Sequence, residues 1–224
     1  MHQIGVREVV EIGGFHFNAE TILMTWITMA IVILIAVLAT RHLKEVPVGW
    51  QNAVEAVVNL LQGQMDAIMG PEGRSLAPLF ITMFLFLLIA NWLGLCPGMA
   101  SPTNDLNTTL GMAIMVSLVI HGIGLAKQGV SHLGHFFQPF APFVFINLIE
   151  EVSRPATLAF RLFGNILAGE VLIIILLQLI PWYLNWAPSC IWLMFSIFVG
   201  AIQAFVFTML SITYIAPSVH VHHK

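Results

Sequence analysis

Charge is what this chain lacks. Of its 224 residues only 8% are Asp, Glu, Lys or Arg, 58% are hydrophobic, and the mean hydropathy is +0.92. Soluble domains carry about a quarter charged residues, so a water-exposed globular fold is excluded and a polytopic membrane protein is implied. The formal net charge of -3 is too small and too scattered to attract nucleic acid or an acidic ligand. Cysteine is scarce: Cys96 and Cys190 form neither a disulfide framework nor a metal motif, and are expected as small buried apolar residues. No Gly-rich phosphate loop is present, so no directly bound nucleotide is expected. His121 is the one histidine inside an apolar run; a haem needs a second axial ligand at similar depth, so His121 reads as a hydrogen-bonded packing residue. No cofactor, no metal and no catalytic residue are expected.

What is present is a set of five apolar runs, at about 21–40, 76–96, 106–126, 155–180 and 189–215. A hydrocarbon layer of roughly 30 Å takes about 20 apolar residues to cross, so each run is a transmembrane helix. The fold class is an all-α membrane protein forming a single polytopic domain over residues 1–224. Arg7, Glu8 and Glu11 make the segment before Thr21 too polar for a cleaved leader, so the first span is expected to be retained. Between the first two spans, about 48–69, Val54, Val57, Val58, Leu61, Met65 and Ile68 recur at helical spacing among Gln51, Glu55, Asn59, Gln62 and Asp66. That pattern predicts an amphipathic helix lying in the membrane interface.

Orientation follows from positive charge, which is retained on the cytoplasmic side. Arg41, Lys44, Arg74, Lys127, Arg154 and Lys224 all fall on one side of a five-span arrangement, leaving Arg7 outside and Arg161 within the membrane. The amino terminus is therefore expected outside and the carboxyl terminus in the cytoplasm. The last two spans are longer than a perpendicular crossing requires, which predicts tilt. Pro181, Trp182 and Trp186 supply a helix stop and interfacial aromatics, so these spans should form a long, tilted antiparallel hairpin, with Pro155 in a first helical turn.

Arg161 lies inside the fourth run, where a permanently charged guanidinium costs roughly 2.5–3.5 kcal/mol on insertion scales. Such a residue is retained because something uses its charge. Arg154, Arg161 and Asn165 share one helical stripe. Glu170 is nine residues beyond Arg161, about 13 Å further outward and on the opposite side, too far for a simple ion pair. Gln203 falls at a depth comparable with Arg161, and Ser196 lies about two turns closer to the outside. Each has an ordinary alternative: Ser196 and Gln203 as helix-packing or hydrogen-bonding residues, Glu170 as a structural acid, Asp105 as the cap of the third span. Glu150 and Glu151 at the inner interface are either solvated charges or the lining of an aqueous opening.

The residues from Thr157 through Arg161 to Asn165 resemble the signature of the a-subunit family of F-type ATP synthases. The resemblance extends through Glu151 to Pro155, Ala168 to Glu170, Gln203 to Phe207 and Pro102 to Asn107, and covers most of the chain in order. It implies a stator subunit whose two offset aqueous half-channels pass protons, or Na+, to carboxylates on a rotating c ring. Within that resemblance Arg161 matches the family's essential arginine, Glu170 its outer acidic or polar position, and Asn165 and Gln203 positions near the arginine. Ser196 departs from the pattern, since relatives often carry an ionisable side chain there. More of the outer path then falls on Glu170, water and Asp105. The implied partners are the c ring, b-type peripheral stalk subunits, the rest of the synthase and the lipid bilayer; the implied location is a bacterial plasma membrane. The competing readings are a secondary transporter, although paired repeats and broken helices are missing, and a structural scaffold, which leaves Arg161 unexplained.

Overall fold

The computed structural model describes residues 9–12, 15–41, 49–96, 99–129, 144–181 and 186–219. Among the described residues six α-helices dominate: α1 (Ala19–Thr40), α2 (Trp50–Met69), α3 (Ala77–Leu93), α4 (Leu106–Gln128), α5 (Val144–Leu179) and α6 (Trp186–Val219). All except α2 supply a stretch long and apolar enough to cross a membrane, that of α3 beginning in the 3-10 turn Pro71–Leu76. The five-span, all-helical membrane class thus holds. An addition is a short antiparallel pair ahead of α1, β1 (Val9–Ile12) with β2 (Phe15–Asn18), registered Val9 to Asn18 and Ile12 to Phe15.

α2 occupies nearly the predicted interval, and its amphipathic pattern has a physical outcome. Leu61, Met65 and Met69 are fully buried in a cluster with Phe80, Leu87, Phe207, Ile212 and Ile215, while Asn59, Gln62 and Asp66 face outward. Asp66 is clamped at the corner between α2 and α3 by Arg74, whose Nε and Nη2 reach its two oxygens at 3.1 Å. The hydrogen bonds from Arg74 hold the Asp66 carboxyl below its ordinary range.

The helices meet through small side chains. Ala113, Ala159 and Ala204 are completely buried, on α4, α5 and α6 respectively, where close backbone approach supplies the dispersion contact that association in lipid requires. α4 packs along α5, α3 along α6, and α5 also touches α6. Serine and threonine hydroxyls are disposed of within the helices: Thr28, Thr208 and Ser211 each donate to the carbonyl four residues back, at 2.8–2.9 Å.

The largest departure from the sequence expectation is α5. Hydropathy predicts its span at 155–180 with Pro155 in the first turn, but the helix starts at Val144 and carries Pro155 inside it. Charge marks residues 150–154 as a boundary; the structure neutralises that charge locally. Glu150 pairs with Arg154 one turn on, Arg154 stacks 5.4 Å from the Tyr214 ring centroid, and Glu151 pairs with His121 of α4. Thr157 donates to the Ser153 carbonyl at 2.7 Å, so its hydroxyl too is satisfied within the helix. At 36 residues α5 is about 54 Å long, well beyond a perpendicular crossing. Cys96 and Cys190, expected to be buried, are free and exposed, because both sit at outward-facing positions near helix ends.

Candidate ion-translocation site

Between α3, α5 and α6 lies a cavity of about 320 Å3. Its α5 wall is built from Asn165, Gly169, Leu172 and Ile173; its α6 wall from Trp192, Ser196, Val199 and Gly200. On α5 the spacing from Asn165 to Gly169 is one turn, and on α6 the spacing from Ser196 to Gly200 is one turn, so each wall is a single helical stripe. Continuing both stripes one turn away from the cavity reaches Arg161 on α5 and Gln203 on α6.

The remaining wall has no counterpart among the residues singled out from the sequence. Asn91 of α3 lies within an apolar run, where a lone amide at lipid depth needs a use or a partner. It has partners on two elements: its Nδ2 donates to the Gly200 carbonyl at 3.0 Å, and its Oδ1 accepts from Thr103 Oγ1 at 2.9 Å. Ser101 Oγ donates to the Ala90 carbonyl at 2.9 Å and lines the cavity beside Asn91. Trp92 adds a second grip on α6, its Nε1 donating to the Ile197 carbonyl at 3.1 Å. Gly94 lets the Ser101 segment close on α3: a Cβ there would stand 2.5 Å from Ser101 Cβ.

The predicted residues separate into groups. Asn165 and Ser196 both line the cavity. Gln203 is buried, at 8% exposure, whereas Arg161 is exposed on the outer surface of the bundle beside exposed Phe160. Among the described residues no hydrogen bond joins Arg161 to Gln203, and no carboxylate lies within ion-pair distance of Arg161. Its charge is presented outward from α5, while Leu158, Ala159 and Leu162 on the same helix are buried. Glu170 belongs to α5 directly after Gly169; its side chain lies outside what is described.

Asp105 is apart from the cavity lining. It is 7% exposed, its Oδ1 accepts from the Asn107 backbone N–H at 2.9 Å as the N-cap of α4, and its Oδ2 accepts from Asn18 and from Thr21 Oγ1, the latter at 3.2 Å. This carboxylate ties the start of α1 to the start of α4. The capping alternative for Asp105 is thus realised, with an added link to α1 that the sequence does not suggest.

At the opposite end of the bundle, Lys127 Nζ reaches Glu72 Oε2 at 2.9 Å and the Val219 carbonyl at 3.0 Å. One ammonium there joins the end of α4, the turn before α3 and the last turn of α6, where helix carbonyls run out of main-chain donors.

Five helices among the described residues that are long and apolar enough to cross a membrane, a mainly apolar cavity into which Asn91, Ser101, Asn165 and Ser196 bring polar groups, and a cation exposed at mid-helix one turn beyond it describe an integral membrane protein. Comparison with known proteins specifies it. The model of the family described as ATP synthase A chain matches residues 22–216. The ATP synthase subunit a of Desulforamulus reducens is 49% identical over 210 residues, covering 91% of this chain and 80% of that protein. The ATP synthase subunit a of Moorella thermoacetica is 42% identical over 205 residues, covering 91% of this chain and 92% of that protein. The chain belongs to the ATP synthase subunit a family.

Proposed function

We propose that this chain is the stator subunit of the membrane sector of an F-type ATP synthase, carrying ions to and from carboxylates on a rotating c ring through two offset aqueous half-channels. By itself it performs no bond-making chemistry. The observation that carries the proposal is the outward presentation of Arg161 at the inner end of the stripe that begins in the Asn165 and Ser196 cavity. A guanidinium stays protonated at every accessible pH, so it works as a fixed charge. A ring carboxyl approaching it is favoured in its ionised form and releases its ion before passing. The same charge repels a cation attempting to cross directly between half-channels, so transport requires rotation.

In this scheme the cavity between α3, α5 and α6 is the inner end of the outer half-channel. Asn165 and Ser196 offer hydrogen-bonding positions along it, Glu170 exchanges the ion near its outer part, and Gln203 solvates the passing carboxylate beside Arg161. Asp105 holds the outer opening in shape through α1 and α4. The coupling ion is H+ or Na+, a choice governed largely by the ring carboxyl site. The potential contributes about 2.3 kcal/mol per charge per 100 mV. The partners are the c ring, b-type stalk subunits and the rest of the synthase, in a bacterial plasma membrane with the amino terminus outside.

The test is Arg161→Ala in the assembled synthase reconstituted into vesicles. ATP-driven ion pumping is expected to vanish, with any remaining flux passive; near-normal coupled pumping overturns the proposal.

A further inference from the structure

His121 and Glu151 stand 3.0 Å apart, Nε2 to Oε1, bridging α4 and α5. Their depth is informative. Glu151 precedes Arg161 by ten residues, about 15 Å along α5, on the side away from the Asn165 cavity. His121 is six residues, about 9 Å, from Lys127, which marks that end of the bundle through Glu72 and Val219. The pair therefore lies between the Lys127 end and the level of Arg161.

Two further features make this seam polar. The side chains are 37% and 19% exposed, so neither is sealed in the core. Pro155 has no N–H, and the carbonyl it cannot serve, four residues back, is that of Glu151 itself. An imidazole and a carboxylate thus pair beside the point where the α5 main chain has lost one helical donor. Such groups are costly in hydrocarbon, and water access is what makes their grouping sustainable.

Among the described residues, the charged neighbours of the pair have partners of their own. On α5, Arg154 is paired with Glu150 and lies over Tyr214 of α6; on α4, Lys127 is paired with Glu72. Among the described residues both of these cations have their own carboxylates, and the ion-pair partner of Glu151 is the imidazole of His121.

We propose that His121 and Glu151 form a proton-exchange station in the inner half-channel, which makes transport sensitive to the pH of the inner side. This rests on the function proposed above, with H+ as the coupling ion. A proton released from the ring enters the seam by water and is taken up by the Glu151 carboxylate or by an imidazole nitrogen. The paired group or the second imidazole nitrogen passes a proton to inner water, and the pair regains its starting charge. Imidazole suits this exchange because histidine is the side chain whose charge changes between about pH 5 and 8.

The experiment uses the complete synthase in vesicles, with inner-side pH varied from about 6 to 8.5 at constant outer pH, a window spanning histidine titration. His121→Gln places an amide near the position of Nε2, keeping a donor to Glu151 while removing titration. A packing role predicts the parent rate and parent pH profile. The station predicts intact assembly, a rate lowered roughly tenfold and a flattened inner-pH profile, as expected on losing an acid–base group. Glu151→Gln should flatten the profile likewise, and the exchange of His121→Glu with Glu151→His should recover much of the rate. Parent behaviour in His121→Gln, or transport following Na+ at constant pH, overturns the station. Arg161→Ala run in parallel separates the two claims: lost pumping there beside an unaltered His121→Gln removes the station alone, whereas retained pumping there removes the functional proposal beneath it.

Discussion

Asn91 of α3 reaches across to α6 and donates its amide to the Gly200 carbonyl at 3.0 Å, and the contact depends on the side chain that Gly200 does not have. A Cβ at Gly200 would lie 3.3 Å from Asn91 Cβ and 3.4 Å from Trp92 Cδ1. Ser196 lies one turn to one side of this contact and Gln203 about one turn to the other. The register of α6 against α3 therefore sets where Ser196, in the cavity, and Gln203, one turn beyond it, point.

Enlarging residue 200 tests that dependence. Gly200→Val should force α3 and α6 apart at the cavity wall, at an overpacking cost of about 1–3 kcal/mol. The midpoint of thermal unfolding of the detergent-solubilised synthase should fall, and ATP-driven pumping should fall with it. An unchanged midpoint and rate would show that the two helices separate here without consequence.

At the other junction, Asp105 serves a cap and an inter-helix tie with different oxygens. Asp105→Asn keeps an acceptor for the α4 N-terminus but weakens the link to Asn18 and Thr21, whereas Asp105→Ala removes both. Loss of the cap alone is worth about 0.5–2 kcal/mol. Thermal midpoints should rank parent above Asn above Ala; equal losses for both variants would mean that the link to α1, not the cap, provides the stability.

Glu170→Gln addresses the outer path. Ion exchange with the outer side should slow several-fold while the amount of assembled synthase stays near that of the parent, measured by passive flux through vesicles against subunit content. An unchanged flux takes Glu170 out of the path.

Orientation is open to labelling. Gln128→Cys, beside Lys127, should react with a membrane-impermeant thiol reagent only from the cytoplasmic side. Native Cys96 and Cys190 are exposed, and in the proposed orientation they fall on the outer side, so they serve as controls expected to react from outside. The reverse pattern inverts the topology.

Much of the architecture was legible because hydropathy is a long-range, additive signal. The intervals of α1, α2 and α4 agree with the sequence expectation to within a few residues, and Asp105 was readable as a cap because short polar side chains before an apolar run have few other uses. The start of α5 was not legible. Glu150, Glu151, Arg154 and Pro155 each speak against a helix crossing that point, and only tertiary partners, His121 and Tyr214, make the crossing sustainable. The β1 and β2 pair carried a weaker local cue, the Gly13 and Gly14 pair between apolar residues, which hydropathy does not weigh. In the site, Arg161 stood out because its cost in lipid is large. Asn91, Ser101 and Thr103 did not, since small polar residues are common in membrane helices and loops and become meaningful only when three elements close around one cavity.

The outward guanidinium also bears on biogenesis. A copy of this chain released alone into lipid would hold Arg161 against acyl chains beside the aromatic ring of Phe160, a penalty of roughly 2.5–3.5 kcal/mol until an acidic neighbour docks. Under the function proposed above, docking of an acidic partner at this face relieves that penalty, so the orphan subunit is the strained species and the partnered one the relaxed species.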